Sequence, residues 1–192
     1  MVEPSDEALC GRVGDGDEAA FDVLVERHRQ RAFRLAWSIL RDTEEARDLS
    51  QEAFLRLFQT AASFRGRARF STWFYRLLVN LCLDHRRKHR WWHQVFGAGE
   101  REREDEPSLL DRQPAAVDDP VEAIGRARTV ARVWEAAERL SPQQRAVLAL
   151  HVQEELSMSE VAAVMGCAEA TARVHLHRAL AALRTLVRKE DV

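Results

Sequence analysis

The feature that most constrains this 192-residue chain is a break in its helical periodicity. Residues 97–125 lack a repeating apolar stripe, and Gly97, Gly99, Pro107, Pro114 and Pro120 punctuate them. Acids dominate there: Glu100, Glu102, Glu104, Asp105, Glu106, Asp111, Asp118, Asp119 and Glu122. Such a run cannot bury enough apolar surface to order itself, and it reads as a flexible acidic linker. On both sides apolar residues recur at the spacing of one helix face. The expected fold is all-α: two small helical domains, at 1–96 and 126–192, joined by the linker at 97–125.

In the first segment, residues 6–14 form a short helix ended by Gly11, Gly14 and Gly16. Asp17 is the expected N-cap of a long helix with Phe21, Leu24, Val25, Ala32, Leu35, Ala36, Ile39 and Leu40 on one stripe. His28 falls on that stripe and reads as a core histidine. A third helix is expected to be capped at Thr43, with Glu44 and Glu45 in its first turn and Ala46, Leu49, Ala53, Phe54 and Leu57 inward. After a loop at 62–69, Ser71 is the expected cap of a fourth helix, with Phe70, Trp73, Phe74, Leu77, Leu78 and Leu81 inward.

Charge is segregated along the chain. Formal net charge is -2, yet residues 63–92 hold eight Arg or Lys against the single acid Asp84, a local net of +7. Aromatics are interleaved with the arginines: Phe64, Arg65, Arg67, Arg69, Phe70, Trp73, Phe74, Tyr75 and Arg76 precede the basic run Arg86, Arg87, Lys88, Arg90. Cations neutralise phosphates and aromatic faces stack on unpaired bases, so this composition suits a strand-opening surface. The plainer alternative is a helix whose aromatics are core and whose arginines are a solvated face.

The second segment opens with an expected helix over 126–140, with Val130, Val133, Trp134 and Ala137 inward. Ser141-Pro142 begins another, carrying Ala146, Val147 and Leu150. Ser157-x-x-Glu160 is a capping box opening a short helix, Gly166 ends it, and a basic helix follows from Glu169 to Arg188. Short helix, tight turn and basic helix make a helix-turn-helix. Small Ala162 and Ala163 let the helices approach, and Val161, Val164, Ala172 and Leu176 fill the space between. Glu169, Thr171, Arg173, Val174, His175 and Arg178 would then face a major groove, where arginine reads guanine edges.

Three separated cysteines, Cys10, Cys82 and Cys167, make neither a disulfide framework nor a metal knuckle. Cys82, His85, His89 and His93 lie at helical spacing, but a phosphate-facing or solvent-facing cluster is the simpler account, and no metal or other cofactor is expected. No membrane-length apolar run or signal-like N-terminus is present, so a soluble cytoplasmic protein without membrane insertion is expected. No catalytic constellation stands out, and the chain reads as a binding protein rather than an enzyme.

These residues together resemble the extracytoplasmic-function (ECF) sigma factors of the bacterial sigma-70 family, over nearly the whole chain. The run Asp48-Leu49-Ser50-Gln51-Glu52-Ala53-Phe54 is similar to the family's polymerase-clamp helix. Phe64-Arg65-Gly66, then Phe70-Ser71-Thr72-Trp73-Phe74-Tyr75-Arg76 and Val79-Asn80, is similar to the segment that binds the minus-ten promoter element. Leu140-Ser141-Pro142-x-x-Arg145, Ser159-Glu160-Val161-Ala162 and Arg178-Ala179-Leu180 are similar to the domain that binds the minus-thirty-five element. The resemblance implies that Asp48, Gln51 and Glu52 dock on bacterial core RNA polymerase. It implies that residues 64–72 capture a flipped minus-ten base with Asn80 near the pocket floor, and that Arg76, Arg86 and Arg87 hold phosphates. An anti-sigma factor is the implied regulator. The recognition helix departs from the usual family opening, reading Ala170-Thr171-Ala172-Arg173-Val174-His175. A stand-alone helix-turn-helix regulator needs neither the clamp residues nor the aromatic loop; a metal-dependent helical protein would rest on the histidine stripe.

Overall fold

Local capping accounts for most helix starts. The computed structural model describes residues 3–96 and 139–190. Ser5 caps α1 (Asp6–Gly14), its Oγ accepting from Ala8 N at 3.2 Å. Asp17 caps α2 (Glu18–Leu40), accepting from Ala20 N at 3.0 Å on one oxygen and from Arg12 at 2.6 Å on the other. At α3 (Thr43–Thr60) the cap is Asp42 rather than Thr43: its Oδ1 accepts from Glu45 N at 2.8 Å. A carboxylate one residue earlier outcompetes the threonine hydroxyl for the same orphan N–H.

A 3-10 turn at Ala61–Ser63 leads into the loop before α4 (Phe70–Phe96). The expected Ser71 cap is not used. The helix begins at Phe70, whose N–H donates to Glu7 Oε1 of α1 at 3.0 Å. Glycine at 14 permits this approach of α1, because a Cβ there would stand 3.0 Å from the Ala62 backbone.

In the second segment, α5 (Pro142–Val152) and α6 (Met158–Met165) each open with a complete capping box, from Ser141 with Gln144 and from Ser157 with Glu160. Gly166 takes the left-handed φ of 64° that ends α6, and α7 (Glu169–Glu190) follows. The expected linker and residues 126–138 of the expected helix lie outside the described residues. The described residues form helices and turns with no strand, an all-α fold.

One continuous core joins both segments. It runs from Leu9 and Leu24 through Phe70, Phe74 and Leu78 to Val147, Leu150, Val161 and Ala172. Residues 146–150, Ala-Val-Leu-Ala-Leu, are all buried. A helix apolar on all sides must be covered on all sides. Leu148 meets Leu140, Ala179 and Leu183 on the α7 side, while Val147 and Leu150 belong to the core shared with α2. The last turns of α2, Leu35 to Leu40, are correspondingly buried or half-buried throughout.

Candidate nucleic-acid interface

The loop from Phe64 to Arg69 sits on an aromatic bed. Phe64 is half-buried, with its ring centroid 5.2 Å from Trp73 and 6.4 Å from Phe70. Arg65, Arg67 and Arg69 are exposed, and Gly66 supplies the left-handed turn (φ 65°) between the first two. Phe70 is fully buried and stacks on Phe74 at 5.8 Å beside the His28 ring. It supports the loop from below, with its ring fully buried in this conformation. His28 is indeed a core residue, its Nε2 2.8 Å from Asp6 Oδ2. Burial pushes the Asp6 carboxyl up, but hydrogen bonds from Arg27 and His28 outweigh it and hold the group below its ordinary range.

Along α4, Ser71 and Trp73 are half-buried, while Arg76, Asn80, Asp84 and Arg87 are exposed on one face as the spacing requires. Asn80, Arg87, Arg90 and Trp91, together with Pro142 and Gln143 of α5, line a cleft of about 600 Å³. Arg87 forms an ion pair with Asp84 at 2.6 Å. Arg86 is half-buried. It turns toward α3, reaching Glu45 Oε2 at 3.8 Å, and His85 Nε2 meets the other Glu45 oxygen at 3.0 Å. The basic run is thus divided: Arg87, Lys88 and Arg90 face outward and Arg86 ties two helices together.

On α3, Asp48 and Gln51 are exposed and Glu52 accepts from Arg56 Nε at 2.9 Å. Leu55 (57% exposed) and Phe58 (42% exposed) continue the same stripe. Sequence reasoning passed over both. The available signal was apolar residues one turn beyond the acidic face and off the inner stripe.

The helix-turn-helix forms as its caps require. Val161, Ala162, Val164 and Ala172 are buried between α6 and α7, and Leu176 is half-buried. Ala163, expected in that seam, is exposed on the opposite face of the short helix. Thr171, Arg173, Val174 and Arg178 are exposed and His175 is half-buried. Arg173 Nε donates to Glu169 Oε1 at 3.0 Å, one turn back.

The cysteine-histidine stripe does not assemble. Cys82 is fully buried, and burial pushes its thiol up to about 12, away from the thiolate that metal binding needs. His85 is engaged with Glu45. Among the described residues no group of three or more His, Cys, Asp or Glu is placed to hold a metal ion, and no helix is long and apolar enough to cross a membrane.

An acidic stripe on α3, an arginine loop on an aromatic bed and a helix-turn-helix together match known proteins. Residues 24–92 match Sigma-70 region 2, and residues 131–183 match Sigma-70 region 4. The chain is 34% identical to the ECF RNA polymerase sigma factor SigE of Mycolicibacterium smegmatis, over 99% of this chain and 72% of that protein. It is 30% identical to the RNA polymerase sigma-H factor of Pseudomonas aeruginosa, over 95% and 94%. The chain is an ECF sigma factor. As such it is a transcription initiation factor whose partners are bacterial core RNA polymerase and promoter DNA.

Two solved structures share the fold of this sigma factor. CnrH, in complex with the cytosolic domain of CnrY, superposes with a TM-score of 0.65 at 21% identity, over 97% of this chain and 99% of that one. RpoE of Bartonella quintana, in complex with the anti-sigma factor NepR, gives 0.68 at 21%, over 88% and 96%.

Proposed function

We propose that this cytoplasmic sigma factor divides its work as the surfaces divide. A first domain, residues 1–96, docks on core polymerase through Asp48, Gln51 and Glu52 and opens the minus-ten element with the 64–69 loop, Trp73, Arg76 and Asn80. A second domain, residues 126–192, reads the minus-thirty-five element with Thr171, Arg173, Val174, His175 and Arg178, and residues 97–125 link the two. Phe70 and Ser71 position the loop, and Arg87 holds phosphate.

The observation that carries this reading is the loop itself. Three exposed arginines surround a left-handed glycine directly above half-buried Phe64 and Trp73. Extruding a base costs a few kcal/mol, which stacking and charge-assisted contacts must offset. A loop with cations outside and aromatic edges beneath supplies both. Control by an anti-sigma factor is supported by the two solved relatives of the same fold, one held by NepR and the other by a domain of CnrY.

Co-elution with bacterial core RNA polymerase tests the docking surface. Asp48→Lys reverses a charge on an exposed position and leaves the core untouched, so the fold is retained while affinity for core polymerase falls at least tenfold, about 1.4 kcal/mol. Unchanged affinity would move the docking surface off α3.

A further inference from the structure

The proposed division of work leaves α1 without a role, yet α1 holds both ends of the arginine loop. At the near end, Phe64 N donates to Ala61 O at 2.9 Å and closes the 3-10 turn. Helix α1 packs on that turn through Gly14, whose missing side chain admits the Ala62 backbone. At the far end, Glu7 Oε1 accepts from Phe70 N at 3.0 Å. Between these anchors lie Arg65, Gly66, Arg67, Ala68 and Arg69, all exposed.

The chemistry of the loop explains why its far anchor comes from another helix. The first N–H groups of a helix have no partner within it, and a serine, threonine, aspartate or asparagine just before the helix ordinarily meets one of them. Here the cap position is held by Arg69, whose carbonyl accepts from Trp73 N at 3.1 Å. An arginine side chain carries donors only. No side chain from 64 to 69 contains an oxygen. A loop built of cations for phosphate therefore leaves the start of α4 without a local acceptor. Glu7 supplies one as a carboxylate, which the positive end of the helix also favours. The Phe70 N–H is the largest influence on that carboxyl and holds it below its ordinary range, so Glu7 is ionised at neutral pH. Its neighbour Asp6 fixes α1 to α2, meeting Arg27 and His28 at 2.8 Å each, and the His28 ring lies 5.1 Å from Phe70.

We propose that α1 positions the arginine loop and that Glu7 is its positioning residue: by capping α4 at Phe70 it holds Arg65, Arg67 and Arg69 over Phe64 and Trp73 in the arrangement that captures an unpaired base. The inference rests on the base-capture reading given above. Without the Glu7 acceptor the first turn of α4 frays and the loop lengthens by the residues released. Capture then falls with the fraction of chains whose loop is formed. Glu7 touches no nucleotide and acts through Phe70.

Holoenzyme assembled from the full chain and bacterial core RNA polymerase tests this. The promoter is one selected by the wild-type holoenzyme from a library randomised across the minus-ten and minus-thirty-five elements. A fluorescent adenine analogue in the minus-ten strand reports unpairing. Glu7→Ala slows the opening step about three- to tenfold, while affinity for core polymerase and formation of the closed complex stay at wild-type values. A general loss of stability would not produce that split. Glu7→Gln keeps a side-chain acceptor and recovers most of the opening rate. Glu3→Ala removes an exposed partner of Arg27 remote from the loop and leaves opening unchanged. In the free chain, hydrogen exchange at the Phe70 amide quickens in Glu7→Ala and not in Glu3→Ala. Wild-type opening in Glu7→Ala overturns the proposal. So does an equal loss of closed complex, an absence of recovery in Glu7→Gln, or an equal slowing by Glu3→Ala. Arg65→Ala with Arg67→Ala separates the two readings. Slow opening in that variant with wild-type opening in Glu7→Ala overturns the positioning role alone. Wild-type opening in both overturns the base-capture reading, and the positioning role with it.

Discussion

The arginine loop and the helix-turn-helix of this sigma factor begin their helices in different ways. At α4 the first N–H, that of Phe70, is met by Glu7, which is 63 residues away in the chain. At α6 the N–H of Glu160 is met by Ser157 Oγ, three residues away, and Glu160 answers by accepting from Ser157 N at 2.9 Å. The loop before α4 rests on rings drawn from α2, α3 and α4, whereas the helix-turn-helix is set by a capping box and one glycine in a left-handed turn. The arginine loop is therefore a product of tertiary packing, and the helix-turn-helix a product of local sequence. A loop held from below can keep its arginines exposed, which a locally coded loop of the same length could not guarantee.

This difference can be broken at its strongest point first. Phe70→Ala removes the ring on which the loop rests and is expected to cost about 3–5 kcal/mol of stability. Chemical denaturation measures the loss, and hydrogen exchange should place it in α1, α2 and the 64–70 loop before it reaches α6 and α7. Equal loss of protection in both segments would instead show that the shared core unfolds as one unit.

The capping contacts sharpen the comparison. Ser157→Ala is expected to cost about 1 kcal/mol at pH 7. The Ser157 hydroxyl is the largest influence holding the Glu160 carboxyl below its ordinary range, so part of that cost fades as pH falls below about 4.3. Glu7→Ala is expected to cost a similar amount, about 1 kcal/mol, with a pH signature of its own. The hydrogen bond from Phe70 N–H is the largest influence on the Glu7 carboxyl and holds it below its ordinary range. A carboxyl with a lowered folded pKa contributes stability that is fully present above its unfolded pKa, about 4.3, and is lost as pH falls through the folded value. The gap between wild type and Glu7→Ala should therefore be full at pH 7 and shrink below about pH 4.3. Glu7→Gln, which keeps an acceptor without a titrating group, should recover part of the cap and flatten that dependence. Because Glu7 is exposed, solvent screening makes this the smallest of the effects.

Much of the architecture was legible in residues that act on their near neighbours. The helical stripes of α2 and α3, the Asp17 cap, the Ser141 and Ser157 boxes and the Gly166 turn each depend on contacts three or four residues apart. The segregation of charge that marks residues 63–92 is likewise a property of the chain alone. The arginine loop could be picked out because aromatics and arginines interleave there; the face of Asp48, Gln51 and Glu52 was marked only by its similarity to the family's polymerase-clamp helix.

What depended on partners distant in sequence was not legible. Nothing near Ser71 shows that Glu7 will cap the helix one residue earlier. Among the arginines from 65 to 90, composition treats all alike, yet Glu45 draws Arg86 inward while Arg87 stays outside. Aromatics that look equally available divide into Phe70, wholly buried, and Trp73, half-buried. Nothing in the runs 35–40 and 146–150 shows that they belong to one core. Caps and stripes are decided by hydrogen bonds and periodicity within a turn or two; the choice between core and surface, and the seat of one segment on the other, is decided by which distant surfaces meet, and only packing in three dimensions determines that.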